Sequence, residues 1–143
     1  MLKNKLQVSE EWFQRVWLEE DTDAIYELFK PGSSVRGLGS HPHVGPDEFS
    51  QFHASLLGLI EKVAVTSDLT VEQGDWLSHL VTVTAVCRKT GRMVYMHGQI
   101  LMKIVDGRIV DARNHLDFIS LFEQLGVLPM RVFEDCLSGK VVA

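Results

Sequence analysis

The feature that most constrains this chain is a change of hydrophobic period near residue 60. Upstream, apolar residues recur every three or four positions; downstream, as far as residue 115, they alternate. The alternating part predicts four strands, over 62–72, 76–88, 92–105 and 108–115. Gly74-Asp75, Thr90-Gly91 and Asp106-Gly107 separate them, and the last two pairs are hairpin signals. Turns this short make consecutive strands antiparallel neighbours.

The first part predicts helices. Ser9 is an N-cap for EEWFQRVWLEE, with Trp12, Phe13, Val16 and Trp17 at helical spacing. Asp21 or Thr22 opens a short helix with Ile25, Leu28 and Phe29 on one face, and Pro31-Gly32 ends it. Residues 35–39, VRGLG, read as a short strand and 40–46 as a loop. A third helix begins near Pro46 and carries Phe49, Phe52, Leu56, Leu57 and Ile60 along its buried side. After the strands, DFISLFEQLG predicts a final helix that stops at Gly126, and a short mixed tail follows.

Helices and strands segregate along the chain, so the class is α+β. At 143 residues the chain makes one domain, with its core over about 9–128 and a tail over 129–143. A long twisted sheet must bury one face, and the N-terminal helices are the available cover. A curved antiparallel sheet wrapped on them leaves a cone with one open end, a natural place for a small-molecule pocket.

Fourteen basic residues against nineteen acidic ones give a net charge of −5, which argues against a nucleic-acid partner. Cys87 and Cys136 show no metal or disulfide spacing, no apolar run approaches membrane-spanning length, and MLKNKLQVSEEW lacks the apolar core of a signal peptide. These readings point to a cytoplasmic protein with no membrane association.

Four stretches, in order, carry a family likeness covering most of residues 12–128. They are VWLEEDTDAIYELF (16–29), GPDEFSQFHASLL (45–57), TGRMVYMHGQILMKIVDGRIVDA (90–112) and NHLDFISLFEQLG (114–126). The last is the most specific, because its polar residues and QLG ending occur together. The chain resembles nuclear-transport-factor-two-like proteins of the SnoaL-like polyketide cyclase type. The resemblance implies a cystatin-like α+β barrel, a homodimer formed through the outer sheet face, and chemistry without cofactor or metal. The fold hosts cyclases, isomerases, dehydratases, hydrolases and plain ligand binders, so it does not fix the activity.

Asp117 matches the carboxylate that such cyclases use for acid–base catalysis. It also precedes FISLF, where an Asp is a favoured N-cap, and one residue can serve both roles. Asn114, three residues earlier, is placed to hydrogen-bond a substrate oxygen. Alternation sets Val110, Ala112 and Asn114 on one face and Arg113 and His115 on the other. In the preceding strand it sets Val94, Met96, Ile100 and Met102 against Tyr95, His97 and Gln99. The expected pocket wall is Phe13, Trp17, Val35, Phe52, Ile100, Met102 and Ala112, around a small apolar or aromatic carbonyl compound. His97 reaches such a ligand only if a bulge reverses its parity. His43, beside His41 in the glycine-rich loop, is a further possible contact near the mouth, without the partners that make a recognisable metal set.

Two departures from the family pattern stand out. Arg113 occupies the place where Trp usually precedes the Asn, and if turned inward it would lower the pKa of Asp117. The positions corresponding to the ketosteroid-isomerase catalytic groups fall on Phe13, Gly37 and Ile100, which cannot do that work.

Overall fold

A computed structural model describes residues 1–142. The helices are α1 (Lys5–Glu11), a π-helical segment (Trp12–Leu18), α2 (Thr22–Leu28), α3 (Gly45–Leu57), α4 (Phe118–Gln124) and α5 (Val132–Leu137). The strands are β1 (Phe29–Arg36), β2 (His43–Val44), β3 (Ile60–Gln73), β4 (Trp76–Cys87), β5 (Met93–Val105) and β6 (Arg108–Leu116). They form one sheet in the order β2-β1-β6-β5-β4-β3. The sheet curves around the helices without closing, and the class is α+β, as the period change predicts.

The four long strands lie within two residues of their predicted bounds. Period 2 is visible in the burial of β4, where Leu77, His79, Val81, Val83, Ala85 and Cys87 all point inward. Asp106 and Gly107 both have positive φ, 51° and 75°. That matches the tight turn whose twist suits a hairpin.

Four expectations need correction. The first helix starts at Lys5, not after Ser9. Asn4 caps it, accepting the Gln7 N–H at 2.8 Å while the Gln7 side chain accepts the Asn4 N–H at 2.9 Å. This reciprocal pair satisfies two free backbone donors, leaving Ser9 buried inside the helix. Second, Pro31-Gly32 does not simply end a helix. Both residues lie within β1, where a register shift between Phe29 and Ser34 absorbs them.

Third, the sheet is not wholly antiparallel. β1 runs parallel to β6, pairing Val35 with Ala112 and Arg36 with Arg113. Fourth, a register shift after Lys103 pairs Lys103 with Asp111 but Ile104 with Ile109. The extra residue moves Val110 off the inner face, and Ile109 takes its place at 1% exposure. The short mixed tail contains α5.

Gly37, just past β1, sits against the end of β6 with φ +88°. A Cβ there would lie 1.8 Å from the Asn114 carbonyl oxygen. Backbone blocks this space, so no side-chain rearrangement relieves it. Gly37→Ala is therefore expected to lower unfolding stability by at least about 2 kcal/mol in urea titration. A change under about 0.5 kcal/mol would mean that this approach is looser than described.

Candidate functional site

The concave face of the sheet and the helices line a cavity of about 60 Å³, a tight slot. One wall is aromatic, built from Trp12, Trp17, Phe29, Phe49, Phe52 and Phe118. The other is mainly aliphatic and comes from β1, β3, β4, β5 and β6.

The π-helical segment shapes the aromatic wall. Its i→i+5 pattern is seen in the Glu19 N–H donating to the Gln14 carbonyl at 2.9 Å. Wider turns bring Trp12 and Trp17, five residues apart, to one side, where α-helical turning would separate them. Both rings line the cavity. His53 of α3 supports them from behind. Its Nε2 lies 2.7 Å from the Val16 carbonyl, to which an N–H there donates, and its ring lies 5.0 Å from that of Trp17.

Of the expected wall, Trp17, Val35, Phe52, Ile100, Met102 and Ala112 line the cavity. Phe13 does not. It lines a separate groove against β3 and β4, where its ring meets His79 edge-on at 5.3 Å. Trp12, Phe29, Phe49 and Phe118 also line the cavity, outside the expected wall, because periodicity marks them as buried without distinguishing core from cavity wall.

Asn114 is the one polar side chain in the cavity lining among the described residues. It is 8% exposed, and its Nδ2 donates to the Arg36 carbonyl at 3.2 Å. That bond anchors the amide to β1 and leaves its other hydrogen-bonding capacity for the cavity.

Asp117 stands elsewhere. Leu116 and Phe118 both line the cavity, while Asp117 between them is exposed and outside the lining. Its Oδ1 accepts the Ser120 N–H at 3.0 Å, and its own N–H donates to the His97 carbonyl at 3.1 Å. The carboxylate is the cap of α4 in this conformation. Arg113 also points outward and pairs with Asp111 at 3.4 Å.

His97 is exposed on the outer face, with Nδ1 3.3 Å from the Thr82 hydroxyl, as its parity predicts. His43 packs at a tilt against Phe52, with ring centroids 5.5 Å apart, and its Nε2 sits 2.9 Å from the Leu38 carbonyl. It stands one layer behind the wall, not in it. Among the described residues, no group of three or more His, Cys, Asp or Glu side chains is arranged to hold a metal ion. No described helix is long and apolar enough to cross a membrane.

Residues 7–125 match the family model for SnoaL-like polyketide cyclase. The chain belongs to that family. No functionally curated protein matches it. Among solved structures, it is similar to a proposed SnoaL-like polyketide cyclase from Jannaschia sp. CCS1, with TM-score 0.75 and 17% identity over 87% of this chain and 92% of that one. It is also similar to IdmH, a proposed polyketide cyclase from Streptomyces antibioticus, with TM-score 0.72 and 17% identity over 85% and 97%. A Catenulispora acidiphila protein with a ketosteroid isomerase-like fold, solved with trimethylamine, gives TM-score 0.73 and 16% identity over 87% and 95%. At these identities the similarity establishes the shared fold.

Two buried histidines give this SnoaL-like domain an acid-sensitive interior. His53 and His79 are 2% and 1% exposed, and burial pushes both below the ordinary 6.5. The unfolded chain therefore binds more protons below about pH 6.5. Their contribution is fully present above that pH and is lost as pH falls toward the depressed folded values. Urea midpoints are expected to drop between pH 7 and pH 5, and less steeply in His53→Gln. A midpoint slope unchanged by that substitution would count against the buried neutral histidine.

Proposed function

We propose that this protein is a small-molecule enzyme of the SnoaL-like type, acting without a cofactor on a flat, apolar or aromatic carbonyl compound. The observation that carries the reading is the slot itself: an aromatic wall facing an aliphatic one, with a single polar side chain, Asn114. Such a slot selects planar ligands by stacking and burial, and orients them by one hydrogen bond.

In a cyclase reaction, a base removes a proton next to a carbonyl. The resulting enolate carbon bonds to a second carbonyl carbon, and an acid protonates the new alkoxide. Asn114 is the group to hold an oxygen of the substrate. Asp117 follows it by three residues, and the family motif gives it the proton-transfer role. To serve, its side chain must release the Ser120 N–H and turn toward the cavity between Leu116 and Phe118. A hydrolase or dehydratase would use the same pair.

The absence of any carboxylate or imidazole from the described lining favours a second reading, a non-catalytic domain that binds a small hydrophobic ligand. One set of measurements separates them. Wild type, Asn114→Leu and Asp117→Asn are titrated with hydroxyanthraquinones through tryptophan fluorescence, and assayed with an aromatic β-polyketide ester. Asn114→Leu is expected to weaken binding about tenfold, the value of one hydrogen bond. Loss of turnover in Asp117→Asn with binding kept supports the enzyme. Binding without turnover in wild type supports the binding domain, and turnover that survives Asp117→Asn removes Asp117 as the acid–base group.

The same reading includes a homodimer through the outer sheet face. Leu69, Val71, Leu80 and Tyr95 are 58%, 55%, 50% and 49% exposed on β3, β4 and β5. Light scattering at micromolar concentration is expected to give twice the chain mass, and Leu80→Lys to shift it toward one. A monomeric wild type would remove that interface.

A further inference from the structure

A second groove, of about 590 Å³, opens between the α1/π-helical layer and β3. Its walls include Leu6, Phe13, Leu18 and Val65, with Glu10 and Gln14 among its polar groups. It contains a polar network unrelated to the cavity around Asn114.

The network centres on His79 of β4, which is 1% exposed. Its Nε2 lies 3.0 Å from Ser9 Oγ. The Ser9 hydroxyl gives its own proton to the Leu6 carbonyl at 2.9 Å, so it accepts an N–H from Nε2. The tautomer follows: in neutral His79, Nδ1 carries the lone pair. Ser67 Oγ lies 2.8 Å from Nδ1, Thr70 Oγ1 lies 3.1 Å from it, and the two hydroxyls are 2.9 Å apart. Nδ1 takes one proton; Ser67 makes the shorter contact with it, and the Ser67 hydroxyl also lies 3.2 Å from the Leu69 carbonyl, a competing acceptor. Thr70 then donates to Ser67.

This arrangement depends on a break in β3. In a regular strand, residues three apart face opposite sides. The register of β3 against β4 shifts between Ser67 and Leu69. The irregularity turns both Ser67 and Thr70 to the inner side, while Asp68 accepts from Thr82 at 2.7 Å. Bulges commonly re-aim side chains beside active sites. Ser67 remains exposed, and its base is buried behind it.

We propose that this groove is an ester-binding site in which Ser67 is a nucleophile, His79 its general base and Ser9 the positioning residue that sets the imidazole tautomer. Ser67 Oγ attacks the acyl carbon of an ester as its proton passes to His79 Nδ1. The tetrahedral intermediate then expels the alkoxide or phenoxide, which takes that proton from His79. The products are an O-acyl Ser67 and a free alcohol or phenol. The apolar walls suit a short hydrophobic acyl chain, and Glu10 disfavours anionic esters.

The probe is p-nitrophenyl butyrate, with phenol release followed by absorbance and the modified residue located by peptide mass spectrometry. Butyrylation is expected at Ser67, at least about 100-fold faster than at the same serine in the urea-denatured chain. His79→Gln keeps hydrogen-bonding groups near Ser9 and Ser67 and is expected to lose that acceleration. Ser9→Ala should lower the acylation rate and shift its pH profile. Equal rates in folded and denatured wild type would overturn the proposal without any variant needing to fold. Labelling at Thr70 instead, or an unchanged rate in folded His79→Gln, would overturn it as well.

Discussion

The ring of Phe49 is the contact on which this architecture depends. It lies 5.1 Å from Trp12, 6.2 Å from Trp17, 6.4 Å from Phe29, 6.0 Å from Phe52 and 6.3 Å from His53. These partners come from the π-helical segment, the start of β1 and α3 itself. Tilted and offset aromatic pairs contribute about 0.5–1.5 kcal/mol each beyond the area they bury. One side chain therefore ties the helix layer to the first strand and forms the cavity's aromatic wall. Stability and ligand selection rest on the same rings, and a substitution that trims the wall also loosens the layer.

Irregular backbone does the rest of the positioning. The π-helical segment aligns Trp12 and Trp17 on the cavity. The β6 irregularity brings Ile109 inward and lets Ala112 and Asn114 follow on the same face. The β3 irregularity assembles hydroxyls around His79. Each adds a residue or widens a turn, and each reassigns which side chains face inward, because a strand's faces alternate with every residue. The two sites thus occupy different parts of the sheet's inner face and share Val65, with Trp12 and Trp17 lining one and Phe13 the other.

The strands were legible to within two residues because alternation and glycine turns act locally. The third helix was legible because Pro46 and the Phe49–Phe52–Leu56 spacing announce it. Ile100, Met102 and Ala112 of the aliphatic wall followed from strand parity together with the family likeness. Phe13 was misplaced because helical spacing shows that a side chain is buried, not which of two neighbouring hollows it lines. His79 carried no local signal: its partners Ser9 and Ser67 are 70 and 12 residues away. Ser9 looked like a cap because the capping pair at Asn4 and Gln7 starts the helix one turn earlier.

By itself, the sequence determined the α+β class, the order of the elements, the hairpin turns and the family motifs, all of which are written in neighbouring residues. Tertiary structure decided that β1 joins β6 in parallel, that Asn114 faces the cavity while Asp117 caps α4, and that Ser67 meets His79. Those outcomes depend on register, and register is settled only when strands and helices distant in the chain pack and compete for the same buried face.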